Sequence, residues 1–227
     1  MRVISWNLFH GRSHPSTGRS MRAEFFATLA AWEWDVALLQ EVPPWWPSPL
    51  AQACGADYRR VLTSRNLCRP LRRALWCRFP DRIRSNQGGA NAILVRGTPI
   101  PIAEHRRLRL RWRPERRWMH GVRLAGGAWI VNLHATVPRG DPEQHDLAKA
   151  TAAALGWAGD APLVFGGDLN QSKPRVPGLR QVAARHVDHI FVRGFEAAGP
   201  GEVLERPQRL SDHPPLAVSL RPAQGDP

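Results

Sequence analysis

The sequence predicts an α/β (α+β) fold, a four-layer α/β/β/α sandwich of two packed mixed sheets with helices outside. Three observations support this. Strand-like apolar runs recur in both halves of the 227-residue chain, with helix-like stretches in each half. Val36–Leu39 is short and apolar throughout, as a strand covered on both faces must be. No linker or internal repeat interrupts the pattern, and the length suffices to bury one core, so residues 1–221 read as one domain and 222–227 as a short tail.

Taken in order, Arg2–Trp6 reads as a buried strand and 10–20 as a polar loop. Met21–Trp34 reads as a helix, because Phe25, Leu29 and Trp32 recur at spacings of three and four. After Val36–Leu39, Pro43-Pro44-Trp45-Trp46-Pro47 makes a rigid loop into a short helix at Leu50–Cys54, and Tyr58–Leu62 is a strand. In 66–84, Leu67, Leu71 and Leu75 share a helical stripe beside a second stripe of Arg65, Arg69, Arg72 and Arg73, with Pro70 suited to a first turn. Asn91–Val95 and Ile102–Trp112 are strands. Trp118–Leu124 and Trp129–His134 form a hairpin around Gly126-Gly127. Pro142–Trp157 is an Ala-rich helix entered through Asp141-Pro142. Pro162–Phe165, Val187–Val192 and Leu216–Leu220 complete the strands.

Composition narrows the partners. The net charge is +13, and lysine contributes only Lys149 and Lys173, so arginine dominates. Such a surface draws polyanions, and guanidinium forks suit phosphate oxygens; nucleic acid fits best and anionic lipid headgroups next. Cys54, Cys68 and Cys77 lack metal-type spacing and read as reduced thiols of a cytoplasmic protein. No early apolar stretch is long enough to span a membrane, and the opening strand leaves no room for a signal peptide. A monomer is expected.

Polar fragments sit beside the apolar strands in a telling order: Ile4-Ser5-Trp6-Asn7, Leu38-Leu39-Gln40-Glu41, Val131-Asn132-Leu133-His134, Gly166-Gly167-Asp168-Leu169-Asn170, Val187-Asp188-His189-Ile190 and Ser211-Asp212-His213-Pro214-Pro215. Asn, Glu, His, Asp and Asp–His delivered from strand ends make a hard-metal site with an acid–base histidine. Residues in this order resemble the endonuclease/exonuclease/phosphatase superfamily of metal-dependent phosphoesterases, which includes pancreatic-type deoxyribonucleases, abasic-site endonucleases, sphingomyelinases and inositol-polyphosphate phosphatases. The resemblance runs from Asn7 to His213.

Phosphodiester hydrolysis needs an aligned, deprotonated water, neutralised phosphoryl oxygens and a stabilised leaving group. Mg²⁺ or Mn²⁺ is the expected cofactor, since Mg²⁺ prefers one or two carboxylates and no cysteine joins the set. The resemblance makes Glu41 the main metal ligand. Asn7 can bind the metal or a phosphate oxygen without adding charge, and Asp212 is a second ligand or a supporting group. The resemblance gives Asp168 the water and Asn170 the phosphate. Asp188 and His213 are expected to pair, the carboxylate fixing the imidazole's tautomer so that His213 acts as general base or transition-state stabiliser. His134 would be a second histidine near the leaving oxygen. Its usual carboxylate partner is missing from 88–91, which leaves Asn91 as a substitute partner or a phosphate contact. Tyr58, the one tyrosine, falls outside the set, so no tyrosinate mechanism is expected. His189 points away from Asp188 along a strand and reads as structural, while His10 and His14, in the loop after Asn7, are near enough for substrate contact but read better as solvated loop residues.

For the substrate, Arg107, Arg109, Arg111 and Arg113 alternate with Leu108, Leu110 and Trp112. As a strand this presents arginines about every 7 Å, near the phosphate spacing of nucleic acid. A solvated, charge-guarded edge is the equal alternative. Trp45 and Trp46 read as a packed loop. The leading expectation is a Mg²⁺-dependent nuclease acting on DNA. The alternatives are a phospholipid or small phosphoester hydrolase, or a non-catalytic polyanion-binding member of the same fold.

Overall fold

The computed structural model describes residues 1–223 except 65, 81–87, 98–101, 114, 137–141 and 208, and omits the side chains of 142–145. Arg65, Asp141 and the end of the tail therefore lie outside the described residues.

The first sheet contains β1 (Arg2–Asn7), β2 (Val36–Val42), β3 (Ala56–Leu62), β4 (Ala90–Arg96), β11 (Phe195–Ala197), β12 (Glu202–Val203) and β13 (Leu216–Pro222). Its order is β11-β13-β1-β2-β4-β3, with β12 also on β13; β1 and β2 are parallel and the other pairs antiparallel. The second sheet has the order β5-β6-β7-β8-β10-β9, from β5 (Ile102–Arg111), β6 (Arg117–Leu124), β7 (Trp129–His134), β8 (Leu163–Asp168), β9 (Arg180–Arg185) and β10 (Asp188–Arg193). Both sheets are mixed, as the sequence predicts.

Three apolar clusters define the layers. Val36, Leu38, Ile93, Ile130, Val164 and Ile190 fill the space between the sheets. Trp6, Phe25, Leu29, Trp46 and Leu50 join the first sheet to helices α1 (Arg22–Ala31) and α2 (Pro47–Cys54). Val131, Phe165, Leu147 and Ala154 join the second sheet to the helix at Pro142–Ala158. Period-two alternation sends one side of each strand inward and the other to the helices. That is the predicted four-layer sandwich. No described helix is long and apolar enough to cross a membrane.

Departures from the sequence reading are local. Helix α1 stops at Ala31, where Trp32 turns extended. Helix α2 begins at Pro47, whose missing N–H costs nothing in a first turn. Helix α3 (Arg69–Arg78) forms with Pro70 in its first turn, yet its buried anchor is Trp76. Trp76 packs on Trp45 and Trp46, while Leu67, Leu71 and Leu75 face outward. The last helix, Pro142–Ala158, is α4. Strand β8 continues through Gly166, Gly167 and Asp168, and the short or polar strands β9, β11 and β12 were not expected.

The arginine row of β5 does not form as one line. A register shift falls between Arg109 and Arg111, and the extra residue turns Arg111 onto α4. There its Nε and Nη2 donate to both oxygens of buried Asp146, at 2.8 and 3.2 Å. Arg111 thus braces the strand against the helix. Arg111→Ala would leave Asp146 without its charge partner, with only the Thr136 hydroxyl bond among the described contacts. We expect a loss of about 3 kcal/mol in denaturant unfolding, against little change for exposed Arg107→Ala.

Candidate active site

The polar fragments converge at one end of the sandwich, between the sheets. Val3 lies in the inter-sheet core and Ile4 and Trp6 in the outer cluster, so alternation turns Asn7 inward at the end of β1. Its Nδ2 donates to Asp168 Oδ2 at 2.9 Å, and its Oδ1 accepts from the Phe9 N–H at 2.9 Å.

Glu41 arrives by a break in alternation. Leu38 points inward, so Gln40 does too; its Nε2 donates to Asn132 Oδ1 at 2.9 Å. Glu41 should then point outward. Instead it has φ 50° within an irregular stretch of the β2–β4 pairing. A left-handed conformation costs a non-glycine residue roughly 1–3 kcal/mol, and such strain collects at functional sites. Its result is that Glu41 Oε1 lies 4.0 Å from His134 Nε2 and Oε2 lies 3.2 Å from His10 Nε2.

His134 ends β7 on the same face as Asn132, and its Nε2 is also 3.5 Å from Asp168 Oδ2. One imidazole nitrogen therefore stands between two carboxylates, and neither was its expected partner. Asp168 ends β8 and pairs in register with both His134 and Asp188. The Asn170 N–H donates to Asp168 Oδ1 at 3.0 Å, and Asn170, at φ 53°, donates its Nδ2 to the Ala135 carbonyl. Gly167 has φ 132°, and a Cβ there would sit 2.0 Å from the Leu133 carbonyl oxygen. That close approach lets β7 bring His134 up to Asp168.

Asp188 begins β10, and its Oδ2 lies 2.8 Å from His213 Nδ1. The loop carrying His213 is fixed from three directions. Trp6 Nε1 donates to the His213 carbonyl, the His213 N–H donates to Ser211 Oγ, and Ser211 Oγ donates to the Asn7 carbonyl at 2.6 Å. His213 Nε2 is 3.8 Å from Asp168 Oδ2. Asp212 is exposed at the rim.

The electrostatics reflect crowded carboxylates. Burial pushes Glu41 up to about 7, with Asp168 and Asp212 adding to the rise and Arg117 and His213 opposing it. Burial also raises Asp168, and raises Asp188 to about 6. For His213 burial acts downward, but the hydrogen bond and charge of Asp188, with Asp168 and Asp212, outweigh it and hold the imidazolium up to about 9. His134 is driven well below its ordinary value by burial and by the cations Arg117, His213 and His10, so it is neutral. Nδ1 of His213 therefore donates to Asp188, while neutral His134 has one nitrogen available to accept.

These residues fit a hard divalent cation. Glu41 brings a carboxylate into the pocket, meeting Asp168 across the shared His134 nitrogen, and the ligand atoms of Asp168, Asp188 and His213 there lie within 4.8 Å of one another. Asp188 Oδ1 is buried with no hydrogen-bond partner among the described residues. The donors are oxygens and imidazoles, and the cysteines are elsewhere, Cys68 and Cys77 exposed and Cys54 buried at the end of α2.

Two residues at this site were not singled out from sequence. His10 meets Glu41 because the 3-10 turn Phe9–Gly11 holds it at φ 55°, contrary to the solvated-loop expectation. Arg117 starts β6, is buried, and acts on Glu41, His134 and Asp168 by charge. Its position at a strand end beside β7 was the available signal. Asn91 is buried, with Nδ2 donating to the Trp118 carbonyl and Oδ1 lacking a partner among the described residues; no contact with His134 is present there. Arg107 and Arg109 are exposed on β5, and Arg111 is bound to α4. His189 lies 2.8 Å through Nε2 from the Gln171 carbonyl, away from Asp188, as expected of a structural residue. Tyr58 packs against the outer core.

Residues 4–213 match the model of the endonuclease/exonuclease/phosphatase family. No curated protein matches the sequence. Among solved structures, an endonuclease/exonuclease/phosphatase from Beutenbergia cavernae superposes with a TM-score of 0.76 at 18% identity, covering 98% of this chain and 71% of that one. The mannosyl-6-phosphatase Bt3783 of Bacteroides thetaiotaomicron gives 0.73 at 17% identity, covering 97% and 99%. TDP2 of D. rerio, complexed with a single-strand DNA product, gives 0.69 at 14% identity, covering 97% and 98%. At these identities the structures establish the fold. The match over nearly the whole chain establishes the rest: this protein belongs to the endonuclease/exonuclease/phosphatase family of metal-dependent phosphoesterases.

Proposed function

We propose that the protein hydrolyses phosphodiester bonds with Mg²⁺ or Mn²⁺ and that its substrate is a nucleic acid, DNA first. The observation that carries the chemistry is the convergence of Glu41, His134, Asp168 and the Asp188–His213 pair on one pocket. Glu41, with Asn7 and Asp212, would hold the cation. When bound, it supplies positive charge for the phosphoryl oxygens and leaving group and favours the neutral form of His213. Asp168, fixed by Asn7 and Asn170, aligns the attacking water. His213 takes that water's proton through Nε2 while Asp188 stabilises the imidazolium formed. Arg117 and neutral His134 flank the leaving side, His134 within reach to orient the departing oxygen.

The nucleic-acid reading rests on charge and on β5. Trp112, 56% exposed just past β5, has the guanidiniums of Arg109 and Arg116 at 4.8 and 5.2 Å from its ring. A cation-flanked aromatic face can stack a base while the arginines meet phosphates. The neighbouring TDP2 structure holds a DNA product.

The direct test is hydrolysis of plasmid, abasic duplex, single-stranded nucleic acid, sphingomyelin and phosphoinositides with Mg²⁺ or Mn²⁺, before and after chelation. Inertness toward every phosphodiester would end the catalytic reading; activity on lipids alone would replace the substrate. A second test addresses binding. Arg107→Ala with Arg109→Ala should weaken DNA binding regardless of sequence and flatten its salt dependence by about 0.9 per lost duplex phosphate contact. Hydrolysis of a small chromogenic phosphodiester should be nearly unchanged. Arg111 is left intact because its loss would disturb α4.

A further inference from the structure

Four of the six large apolar side chains that are strongly exposed among the described residues sit on one short segment. They are Leu67 (75% exposed), Leu71 (61%), Leu75 (43%) and Phe79 (41%), recurring every fourth residue along and beside α3. Within α3 this spacing keeps Leu71 and Leu75 on one face, while Leu67 lies just before the helix and Phe79 just after it. Ordinary surface scatter does not gather four on one short segment, and a grouped apolar patch marks an interaction site. Residues 67–79 also carry Arg69, Arg72, Arg73 and Arg78 and no acidic residue.

The helix is fixed from behind. Trp76 is buried against Trp45 and Trp46, so the leucines cannot roll into the core without withdrawing that anchor. On the flank, a cleft of about 550 Å³ opens between Trp45 and Arg60 on one side and Arg69 and Arg73 on the other, with Pro44 and Pro70 in its wall. The segment borders the candidate active site. Asn66 donates to the Gly89 carbonyl, and a Cβ at Gly89 would come within 3.5 Å of the His10 ring.

We propose that α3 docks the protein onto an anionic phospholipid bilayer, with Leu71, Leu75 and Phe79 dipping below the headgroups and the arginines meeting lipid phosphates. Three arguments select this occupant. An apolar face bordered by arginines is the composition of a helix lying in a membrane interface. Arginine stems can lie along the apolar boundary while their heads reach phosphate. A second copy of the chain is disfavoured, because pairing two such faces brings eight guanidiniums together without an acid from either helix. Nucleic acid would use the arginines but leaves isolated leucines without a partner. The docking does not depend on which phosphodiester the site cleaves.

The test is co-sedimentation with vesicles of phosphatidylcholine, with and without phosphatidylglycerol, in chelator, so that hydrolysis plays no part. The expected result is binding to the phosphatidylglycerol vesicles, weak binding to pure phosphatidylcholine, and at least ~10-fold weaker binding for the Leu71→Glu, Leu75→Glu variant. Both positions are exposed, and an unchanged Tm will show that the variant is folded. A second variant, Leu71→Ala with Leu75→Ala, adds no charge and should also bind less tightly. The proposal is overturned if wild type ignores anionic vesicles. It is equally overturned if both variants bind as wild type does, which makes adsorption a matter of net charge. It is overturned too if they abolish a wild-type dimer seen by sedimentation, or lose DNA binding in place of vesicle binding.

Discussion

Asp188→Asn is expected to fold as the wild type does and to turn over substrate roughly 10²–10⁴-fold more slowly, the usual range for disabling a general acid–base group. Among the described residues, Asp188 makes one side-chain hydrogen bond in the pocket, the 2.8 Å bond to His213 Nδ1. An amide there is nearly isosteric but carries no charge and can present an N–H to Nδ1, favouring the wrong tautomer. The same change has a signature independent of turnover. Asp188 is a chief reason that His213 is held up to about 9 in the metal-free protein, against the downward pull of burial. A raised histidine contributes stability that is fully present below about 6.5 and is lost as pH rises through about 9. The His213 ring resonances should therefore titrate at lower pH in the variant, and the part of its stability deficit due to His213 should shrink in alkali. Unchanged turnover would remove His213–Asp188 from the mechanism.

Glu41→Gln should have the opposite effects on stability and activity. Burial among like charges raises Glu41 from 4.5 to about 7, so the folded metal-free protein loses stability as pH rises from about 4.5 through 7. Above that window the cost is roughly 3 kcal/mol. Glutamine removes it. Without metal at pH 8 the variant should melt higher, by about 2–4 °C for each kcal/mol recovered, and near pH 4 the difference should vanish. Mg²⁺ or Mn²⁺ should then raise the Tm of wild type and leave the variant unmoved, with hydrolysis at background. A variant that melts lower at pH 8, or that still responds to the metals, would show that Glu41 is neither the strained carboxylate nor the principal ligand.

The sandwich was legible because each strand carries its own period, and the site because its polar fragments occupy strand ends. What escaped depends on single dihedrals and on tertiary neighbours. Glu41 follows Gln40, and the sequence does not say that one left-handed residue would send both side chains toward the site. His10 looked solvated because a loop has no period, and a tight turn carries it onto Glu41. The arginine alternation of β5 was read as continuous, whereas a one-residue bulge and the carboxylate of Asp146 divert Arg111. Of the leucine stripe, Leu71 and Leu75 were correctly read as helical and Leu67 precedes the helix, but periodicity cannot say which face meets the core. Two tryptophans far back in the chain decided that by pairing with Trp76. Strand β9 was missed because an edge strand with mostly exposed side chains has no apolar face to read.

The pocket has no single owner. Asn7 and Glu41 belong to one sheet, with His213 just ahead of that sheet's last strand, whereas His134, Asp168 and Asp188 belong to the other. The Asn7–Asp168 and His213–Asp188 bonds each span the gap, and behind them the buried Gln40–Asn132 amide bridge fixes how the sheets are seated. A slide of one sheet across the other by a single pleat would leave nearly every backbone hydrogen bond in place and scatter these groups by several ångströms. Turnover would thus act as a gauge of alignment between two otherwise intact slabs. Mild denaturant, pressure or a cavity between the sheets should silence the protein while its far-ultraviolet spectrum still reads as native.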